Sequence, residues 1–245
     1  MYFRMKKALQ CLKGSRYICF LDFEGTQFSH EMIAIGAVLA SLDKKGNIKR
    51  LKDPFKIYVR AKNKIGSYVT NLTGITEELL AKEGVSFYKA MNELRNYCGS
   101  AFKKSTFITF GNHDMRILNQ SCSYNLDLPK NEVSQIQHHY FDFILLIGEF
   151  IRDIHGNPLS LLNYCKLFGI PEEGEAHSPD ADALNLAHLY QAFISNTDLV
   201  LEEYLKLLAN QRHLPPPISE AVLALASGKD FTASQFKESA KKYIE

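Results

Sequence analysis

The sequence predicts an α/β fold: a three-layer domain built on a mixed five-stranded sheet, followed by a helical C-terminal appendage. Three observations support this. Three short runs rich in β-forming residues open the chain, and in the third, residues 55–60, apolar residues recur with the period of two that is typical of a strand. After Thr76, helical patterns with a period near 3.6 alternate with short apolar runs. Beyond Asn196 the chain resembles a series of short helices. We therefore place the α/β domain at residues 14–195 and the helical extension at residues 196–245.

The predicted strands are short apolar runs rich in β-branched and aromatic residues. The turn signal Asp43-Lys-Lys-Gly-Asn47 indicates a hairpin between the second and third strands. The fifth run is strongly apolar, and we expect it to merge into a helix. The five predicted strands lie at residues 17–22, 31–42, 55–60, 106–110 and within 141–151.

The predicted helices follow from capping residues and from apolar faces. Thr76 precedes two glutamates and an apolar pair, as expected of an N-cap. Gly169 and Pro171 end a later helix. Helices are predicted from residue 76, over 87–98, from Asp114, over 159–168 and over 182–194.

Composition excludes several classes of protein. Of the 245 residues, 46% are hydrophobic and 23% are charged, which is ordinary for a globular protein and excludes disordered and fibrous chains. The longest apolar run, residues 32–40, is far shorter than the roughly 20 residues that span a bilayer. The five cysteines are widely spaced, without a C-x-x-C pair, which argues against a disulfide framework. With no hydrophobic signal core near the N-terminus, we expect a cytoplasmic protein without a membrane partner.

The charge is unevenly distributed, although the formal net charge is only +2. Residues 1–21 contain five Lys or Arg and no acid, and residues 44–64 contain nine Lys or Arg and one acid, Asp53. Such a stretch is usually a solvated face. It is also the pattern of a phosphate-binding surface.

The first chemical signal is the pair Asp22 and Glu24 at the end of the first predicted strand. Residues two apart in a strand share a face, so both carboxylates point the same way and Phe23 turns into the core. Neighbouring carboxylates repel each other unless a cation lies between them, and Mg²⁺ and Mn²⁺ prefer such oxygen ligands. Most such triplets are surface charge. The position at the end of a buried strand favours a metal site.

Three further residues lie at the ends of predicted elements. Asp114 begins a helix after the fourth strand, Asp182 begins a later one, and His177 precedes Asp182 in a loop. Each has an ordinary alternative, because acids stabilise helix N-termini and loop histidines are usually solvated. If the fourth strand lies beside the first, however, Asp114 comes close to Asp22. Four carboxylates and one flexible histidine would then meet where α/β proteins build sites.

Five motifs follow one another along the chain. They are Phe20-Leu-Asp22-Phe-Glu24-Gly-Thr26, Ile33-Ala-Ile-Gly-Ala37, Leu72-Thr-Gly-Ile-Thr76, Gly111-Asn-His-Asp114 and His177-x4-Asp182. In this order they resemble the motifs of the DEDDh 3′–5′ exonucleases, the DnaQ-like branch of the ribonuclease H-like fold. The similarity covers about residues 17–190 and is closest to the Eri-type and KapD-like members. One departure from the pattern is an additional acid, Asp180, which we expect to be exposed.

The predicted chemistry is metal-dependent hydrolysis of a phosphodiester. Two divalent cations, Mg²⁺ or Mn²⁺, balance the charge of four carboxylates, and a two-metal site supports in-line attack on phosphorus. Asp22, Glu24, Asp114 and Asp182 are the predicted catalytic metal ligands. His177 is the predicted general base, since an unperturbed histidine pKa near 6.5 suits that role.

The resemblance also implies the substrate and the residues that dock it. The expected partners are single-stranded nucleic acid 3′ ends, RNA somewhat favoured over DNA, and the product is a 5′-nucleotide. Gly25, Thr26 and Phe28 are expected to form the wall where the terminal nucleotide docks, Phe28 alternatively being a core residue. His113 is expected to be structural. The sequence predicts no particular protein partner.

Two other functions are compatible with parts of the sequence. The Phe20–Thr26 segment is one substitution from the opening motif of the haloacid-dehalogenase phosphatases, but Glu24 breaks that motif and His177 has no role there. A catalytically silent, regulatory or nucleic-acid-binding protein of the KapD type is the second alternative. Such a protein has no need for all four carboxylates and the histidine, so catalysis is favoured.

Overall fold

The computed structural model describes residues 12, 14–171, 174, 177–211 and 214–245. The chain divides into two compact units. The first comprises Met1–Leu146 and Leu161–Ile194, and the second comprises Ile147–Ser160 and Ser195–Glu245.

The first unit is built on a mixed sheet with helices, as predicted. The strands are β1 (Tyr17–Gly25), β2 (Met32–Leu42), β3 (Ile48–Leu51), β4 (Phe55–Tyr58), β5 (Ser105–Thr109) and β6 (Tyr140–Asp142). β2 pairs antiparallel with β1, while β1–β5 and β5–β6 are parallel pairs. The order along the sheet is β3-β2-β1-β5-β6, and β4 pairs with β2.

The sheet has six strands and not the five predicted, because two short strands follow the hairpin turn instead of one. β3 pairs with β2 at residues 40–42, and β4 pairs with β2 at residues 34–37. Pro54 lies between β3 and β4 and has no amide hydrogen to donate to a ladder. The chain therefore leaves β2 after β3 and returns to it as β4.

The helices agree with the prediction where capping signals are strong. The Thr76 side chain accepts a hydrogen bond from the Leu79 amide at 3.1 Å, which confirms the predicted N-cap. The helix predicted from Asp182 begins three residues earlier, at Pro179. The sequence does not predict the helices at Ser67–Thr73 and Lys130–His138. The helices are α1 (Ser67–Thr73), α2 (Glu77–Glu83), α3 (Phe87–Cys98), α4 (His113–Tyr124), α5 (Lys130–His138), α6 (Ile144–Phe150), α7 (Leu161–Leu167) and α8 (Pro179–Ser195), with a 3₁₀ helix at Gly99–Lys104.

Two apolar clusters hold the first unit together. The larger joins the sheet to α3 and α4 through Phe23, Leu94 and Ile117, each at most 3% exposed. The smaller one includes Ile33 and Leu80. Burying one such side chain stabilises the fold by roughly 1.5–3 kcal/mol. Phe23 therefore points from β1 into the core, as strand alternation predicts.

Among its described residues, the second unit contains the end of α6 and the helices α9 (Thr197–Ala209), α10 (Pro216–Ala226) and α11 (Ala233–Ile244). Thr232 and Gln235 form a capping box at the start of α11. The rings of Phe150 and Tyr204 pack 5.4 Å apart. In the described part of the chain, none of the helices combines the length and the apolar character that crossing a membrane requires.

Candidate active site

The end of β1 presents two carboxylates on one face. Phe23 is buried, whereas Asp22 and Glu24 remain partly accessible on the opposite face. In the antiparallel register, Asp22 lies opposite Gly36 and Glu24 lies opposite Ala34. Strand alternation therefore places these two acids side by side at one edge of the site.

Asp114 reaches β1 from the helix that follows β5. β5 is the parallel neighbour of β1, which is the condition under which the sequence predicts this approach. Asp114 is 5% exposed, and its Oδ1 accepts a hydrogen bond from the Phe23 amide at 2.7 Å. The carboxylate is thus fixed beside the backbone that carries Asp22 and Glu24.

Asp182 arrives in the first turn of α8, which starts directly over Gly36. A Cβ atom added to Gly36 would overlap the carbonyl group of Pro179. Since Gly36 lies opposite Asp22, the missing side chain lets the start of α8 approach the strand pair. Asp182 lies close enough to raise the pKa values of both Asp22 and Glu24 by charge repulsion.

The electrostatics show a cluster of acids with little positive compensation. Burial, followed by repulsion from Asp114, Glu24 and Asp182, raises the pKa of Asp22 well above its usual range. Burial and the charges of Asp182 and Asp114 raise the pKa of Glu24 to about 8, with Lys56 opposing the shift. Burial raises the pKa of Asp114 to about 7, although the Phe23 amide opposes it.

The four side chains suit divalent cations in their chemistry. All are hard oxygen ligands, and two divalent charges would balance four carboxylates. Within the described residues, no three His, Cys, Asp or Glu side chains are already arranged to hold a metal ion. The mutual increase of the pKa values nonetheless shows that Asp22 interacts with the other three acids. A cation would relieve this repulsion.

His177 lies in the loop that leads into α8. Its side chain is exposed, and its backbone has a φ of 59°, in the left-handed region that non-glycine residues rarely adopt. Pro179, two residues later, begins the helix that carries Asp182. The loop histidine and the fourth carboxylate therefore depend on the same helix start for their positions.

A tether between β4 and this loop is not predicted by the sequence. The Lys56 Nζ donates to the Ser178 Oγ at 2.6 Å and lies 3.4 Å from the Asp180 Oδ1. Ser178 in turn donates to Asp180 at 2.6 Å. The expectation that Asp180 is simply exposed is therefore wrong, because its side chain is 32% exposed and paired with a cation. Sequence distance hides this contact, since Lys56 lies more than 120 residues from its partners.

The predicted docking wall is only partly available to a ligand. Phe28 is 82% exposed, so it is not a core residue. Thr26 is buried, its amide donates to the Glu31 carbonyl, and its hydroxyl accepts from the Glu31 amide. Gly25 packs against α4, where an added Cβ would lie 2.8 Å from Ile117. Thr26 and Gly25 thus shape the loop that presents Phe28.

Sequence reasoning also misses a further acid that supports the site. The Asp142 Oδ1 accepts hydrogen bonds from the amides of Gly111 and Ile144, both at 3.0 Å. This holds the turn immediately before Asp114. The sequence gives no signal for this role, because Asp142 lies near the start of the apolar run 141–151 and the end of β6 at Asp142 is visible only in the structure.

His113 lies beside the site but outside the carboxylate set. Its ring stands edge-on to that of His30 at 5.3 Å. Burial, followed by the charges of His30 and Arg116, lowers the pKa of His113.

Comparison with known proteins assigns the family. Residues 19–190 match the model of the RNase_T exonuclease family, and the chain belongs to this family. The resemblance to the DEDDh exonucleases with a ribonuclease H-like fold is thereby confirmed. No curated protein matches the sequence.

Three solved structures illustrate the similarity of fold. A full-length 3′-exonuclease aligns with a TM-score of 0.60 and 21% identity over 75% of this chain and 62% of its own. The nuclease domain of 3′hExo, a DEDDh family member bound to rAMP, aligns with a TM-score of 0.56 and 21% identity over 76% of this chain and 93% of its own. E. coli exonuclease I in complex with a dA16 oligonucleotide aligns with a TM-score of 0.55 and 17% identity over 84% of this chain and 45% of its own. The chain thus spans less than two thirds of the full-length 3′-exonuclease.

Proposed function

We propose that this protein is a metal-dependent 3′–5′ exonuclease that releases 5′-nucleoside monophosphates from single-stranded nucleic acid 3′ ends, RNA being somewhat favoured over DNA. The observation that supports this most strongly is the arrangement of Asp22, Glu24, Asp114 and Asp182. Asp22 and Glu24 share a face of β1, Asp114 accepts a hydrogen bond from the Phe23 amide between them, and the helix that carries Asp182 begins over Gly36, opposite Asp22. One strand and two helices contribute to this arrangement. Membership of the exonuclease family supports the same reaction class.

Two divalent cations, Mg²⁺ or Mn²⁺, would supply an activated water and stabilise the leaving 3′ oxygen when bound. Asp22 would be one of the ligands that hold these cations, since its carboxylate interacts with the charges of all three other acids. Asp114 is held by the Phe23 amide and cannot swing away from β1 without losing that bond. Among the four proposed oxygen ligands, Asp114 thus has a fixed position beside β1.

His177 is the proposed general base. Its ring would accept the proton of the attacking water at the nitrogen that carries no hydrogen in the neutral form. The side chain is exposed on a loop, so it is free to approach a bound 3′ end. Loop closure over substrate is a common way of completing a catalytic site.

The proposed docking surface for the terminal nucleotide centres on Phe28. The loop that presents it is joined to α1 by a hydrogen bond from the Tyr68 amide to the Gln27 Oε1 at 3.3 Å. Tyr68 and Leu72 on α1 are also exposed, at 65% and 40%. Exposed aromatic and aliphatic side chains near a phosphate-cleaving centre suit stacking against a base. The similar nuclease domain of 3′hExo is bound to rAMP, which supports a ribonucleotide as a ligand of this protein.

We also propose that residues 14–195 form the exonuclease domain and that residues 196–245 are a helical extension. The family match ends at residue 190, close to the proposed boundary.

The test is digestion of matched RNA and DNA single strands labelled at the 5′ end. Hydrolysis is expected to require Mg²⁺ or Mn²⁺, to stop in chelator, and to shorten the labelled strand by one nucleotide at a time. A blocked 3′ hydroxyl should slow the reaction. Cleavage of a circular single strand, or full activity in chelator, would overturn the proposal. Binding without any hydrolysis would favour the catalytically silent alternative.

A further inference from the structure

A second candidate site lies at the opposite end of β1 from the carboxylates. It is a cleft of ≈ 840 Å³ in the first unit. The start of β1, the hairpin turn after β2, β3 and the end of α8 form its walls. The residues that carry its chemistry are Arg16, Lys44, Lys45, Lys49 and Arg50, with Tyr17 and Phe193 on the walls.

The cleft is strongly basic. All five of its Lys and Arg side chains are exposed, and none takes part in the ion pairs found among the described residues. The acid in this lining, Asp43, is already engaged. Its carboxylate accepts hydrogen bonds from the Asn47 amide and side chain at 2.9 and 3.1 Å and from the Lys45 amide at 2.8 Å. These donors are neutral groups, so Asp43 offsets only one of the five positive charges and the lining keeps an excess of positive charge, which is the condition for attracting a polyanion.

The basic turn is held in place by the same helix that carries Asp182. The Tyr190 hydroxyl donates to the Gly46 carbonyl at 3.0 Å, and the Ile48 amide donates to the Gln191 Oε1 at 2.6 Å. These bonds fix both sides of the turn against α8. Preorganised cations lose less conformational freedom when a ligand binds than cations on a free loop.

The walls also offer aromatic surface. Tyr17 and Phe193 are partly exposed. A positively charged groove with accessible aromatic side chains is the usual arrangement for binding single-stranded nucleic acid without sequence preference. A small inorganic anion would make no use of these rings.

We propose that this cleft binds the phosphodiester backbone of a single-stranded nucleic acid upstream of the 3′ end that is being hydrolysed. The proposal rests on the proposed function, since it takes the substrate strand as its ligand. Tyr17 and Asp22 are five residues apart on β1, or about 17 Å at the usual rise of a strand. A stacked strand rises about 3.4 Å per nucleotide and an extended strand more, so a strand of several nucleotides can reach from one site to the other. A dinucleotide is too short to contact both sites.

The experiment compares two variants that each lose four positive charges. The cleft variant is Lys44→Gln/Lys45→Gln/Lys49→Gln/Arg50→Gln. The control variant is Lys82→Gln/Lys89→Gln/Lys103→Gln/Lys130→Gln, whose four side chains are exposed on the first unit and do not line the cleft. Each is assayed on a dinucleotide and on a strand of about 20 nucleotides, at several salt concentrations.

The cleft variant should hydrolyse the dinucleotide like the unmodified protein, while its KM for the long strand rises roughly tenfold or more. The slope of log affinity against log salt should decrease by about 0.7 for each phosphate that the variant no longer neutralises. The control variant should change neither the KM for the long strand nor the slope against salt. Normal hydrolysis of both substrates by the cleft variant, with an unchanged slope, would overturn the proposal.

Binding of the labelled long strand in chelator separates this proposal from the proposed function. If the protein hydrolyses nothing but binds the strand, and the cleft variant loses that binding, the proposed function fails and the cleft assignment stands. If the cleft variant binds the strand normally but no longer binds vesicles of anionic lipid, the ligand is a membrane surface and the proposal is wrong.

Discussion

The two ends of β1 differ in charge. At its carboxyl end, Asp22 and Glu24 join two further acids, and burial and mutual repulsion raise the pKa values of this pair. At its amino end, Arg16 adjoins a turn and a short strand with four more exposed cations. Both ends lie against α8, which begins over Gly36 and ends beside the basic turn.

The two ends of β1 therefore suit two different tasks, hydrolysis at the acidic end and strand binding at the basic end. The acidic end is partly buried, so its charges interact strongly and require cations before they can act. The basic end is exposed, where charges act through long-range attraction that salt weakens. Changes at the acidic end should therefore alter turnover, and changes at the basic end should alter affinity for long strands. Four experiments test this division.

Asp22→Asn is expected to have the largest effect. It removes the carboxylate that interacts with all three other acids, so turnover should fall by more than the roughly 10²–10⁴-fold that loss of a general base costs. Affinity for a long strand at the basic end should stay unchanged. The measurements are single-turnover hydrolysis and strand binding, with the exposed Asp53→Asn as the matched control. Turnover within tenfold of the unmodified protein would remove Asp22 from the catalytic centre.

His177→Ala should lower turnover by roughly 10²–10⁴-fold, the usual contribution of a general base. Because the imidazole is not a proposed metal ligand, the affinity for Mn²⁺ should barely change. The acidic limb of the pH–rate profile should flatten, since the proton acceptor is lost. His138→Ala, an exposed histidine on α5, is the control. A variant with the unmodified rate at neutral pH would move the assignment to another group, and His113 would be tested next.

Gly36→Ala should lower turnover by roughly 10²-fold, the cost of a displacement near 1 Å in a reacting centre. The new Cβ would push the start of α8, and with it Asp182, away from β1. Overpacking of this kind costs about 1–3 kcal/mol of stability, so the unfolding temperature is measured alongside turnover and Mn²⁺ affinity. Unchanged Mn²⁺ affinity would show that α8 does not control the spacing of the acids.

The smallest expected effect is a shift in thermal stability with pH. The folded-state pKa values of Glu24 and Asp114 lie near 8 and 7, well above those of unfolded chains. Between about pH 4 and 8 the folded state therefore binds more protons, and stability falls as pH rises. In chelator, the melting temperature should be several degrees lower at pH 8 than at pH 5.5, and Mg²⁺ should reduce the difference. A melting temperature that rises over this range would contradict the raised pKa values of Glu24 and Asp114.

Local signals carry most of the fold prediction. Thr76 is an N-cap because its hydroxyl meets the Leu79 amide, an interaction within four residues. By contrast, α1 follows Gly66, which has a φ of 92° and provides no side-chain cap, so its sequence gives no helix signal. The predicted third strand corresponds to β4, whereas β3 is an additional short strand before Pro54 that is recognised only once its pairing with β2 is known.

The same distinction applies to the candidate site. The acids at element ends can be identified because strand and helix ends are visible in the sequence. The roles of Gly36, Lys56 and Asp142 cannot be identified in this way, because each depends on contact with a residue that is distant in sequence. The hydrogen bond that Asp142 accepts from the Ile144 amide is local, but the one from the Gly111 amide is not. Side chains without reactive groups also attract no attention in a search for chemistry, and Gly36 has no side chain at all.

The ion pair between Lys56 and Asp180 has a consequence for how sequences of this type can diverge. Four carboxylates and two divalent cations sum to zero charge, and a fifth acid close to His177 would leave one negative charge unbalanced. Lys56 supplies the missing positive charge at 3.4 Å. Replacing the lysine alone leaves an unpaired acid next to an already repulsive cluster, and replacing the acid alone leaves a surplus cation beside Glu24. We therefore expect positions 56 and 180 to covary, charged together or neutral together, when related sequences are compared.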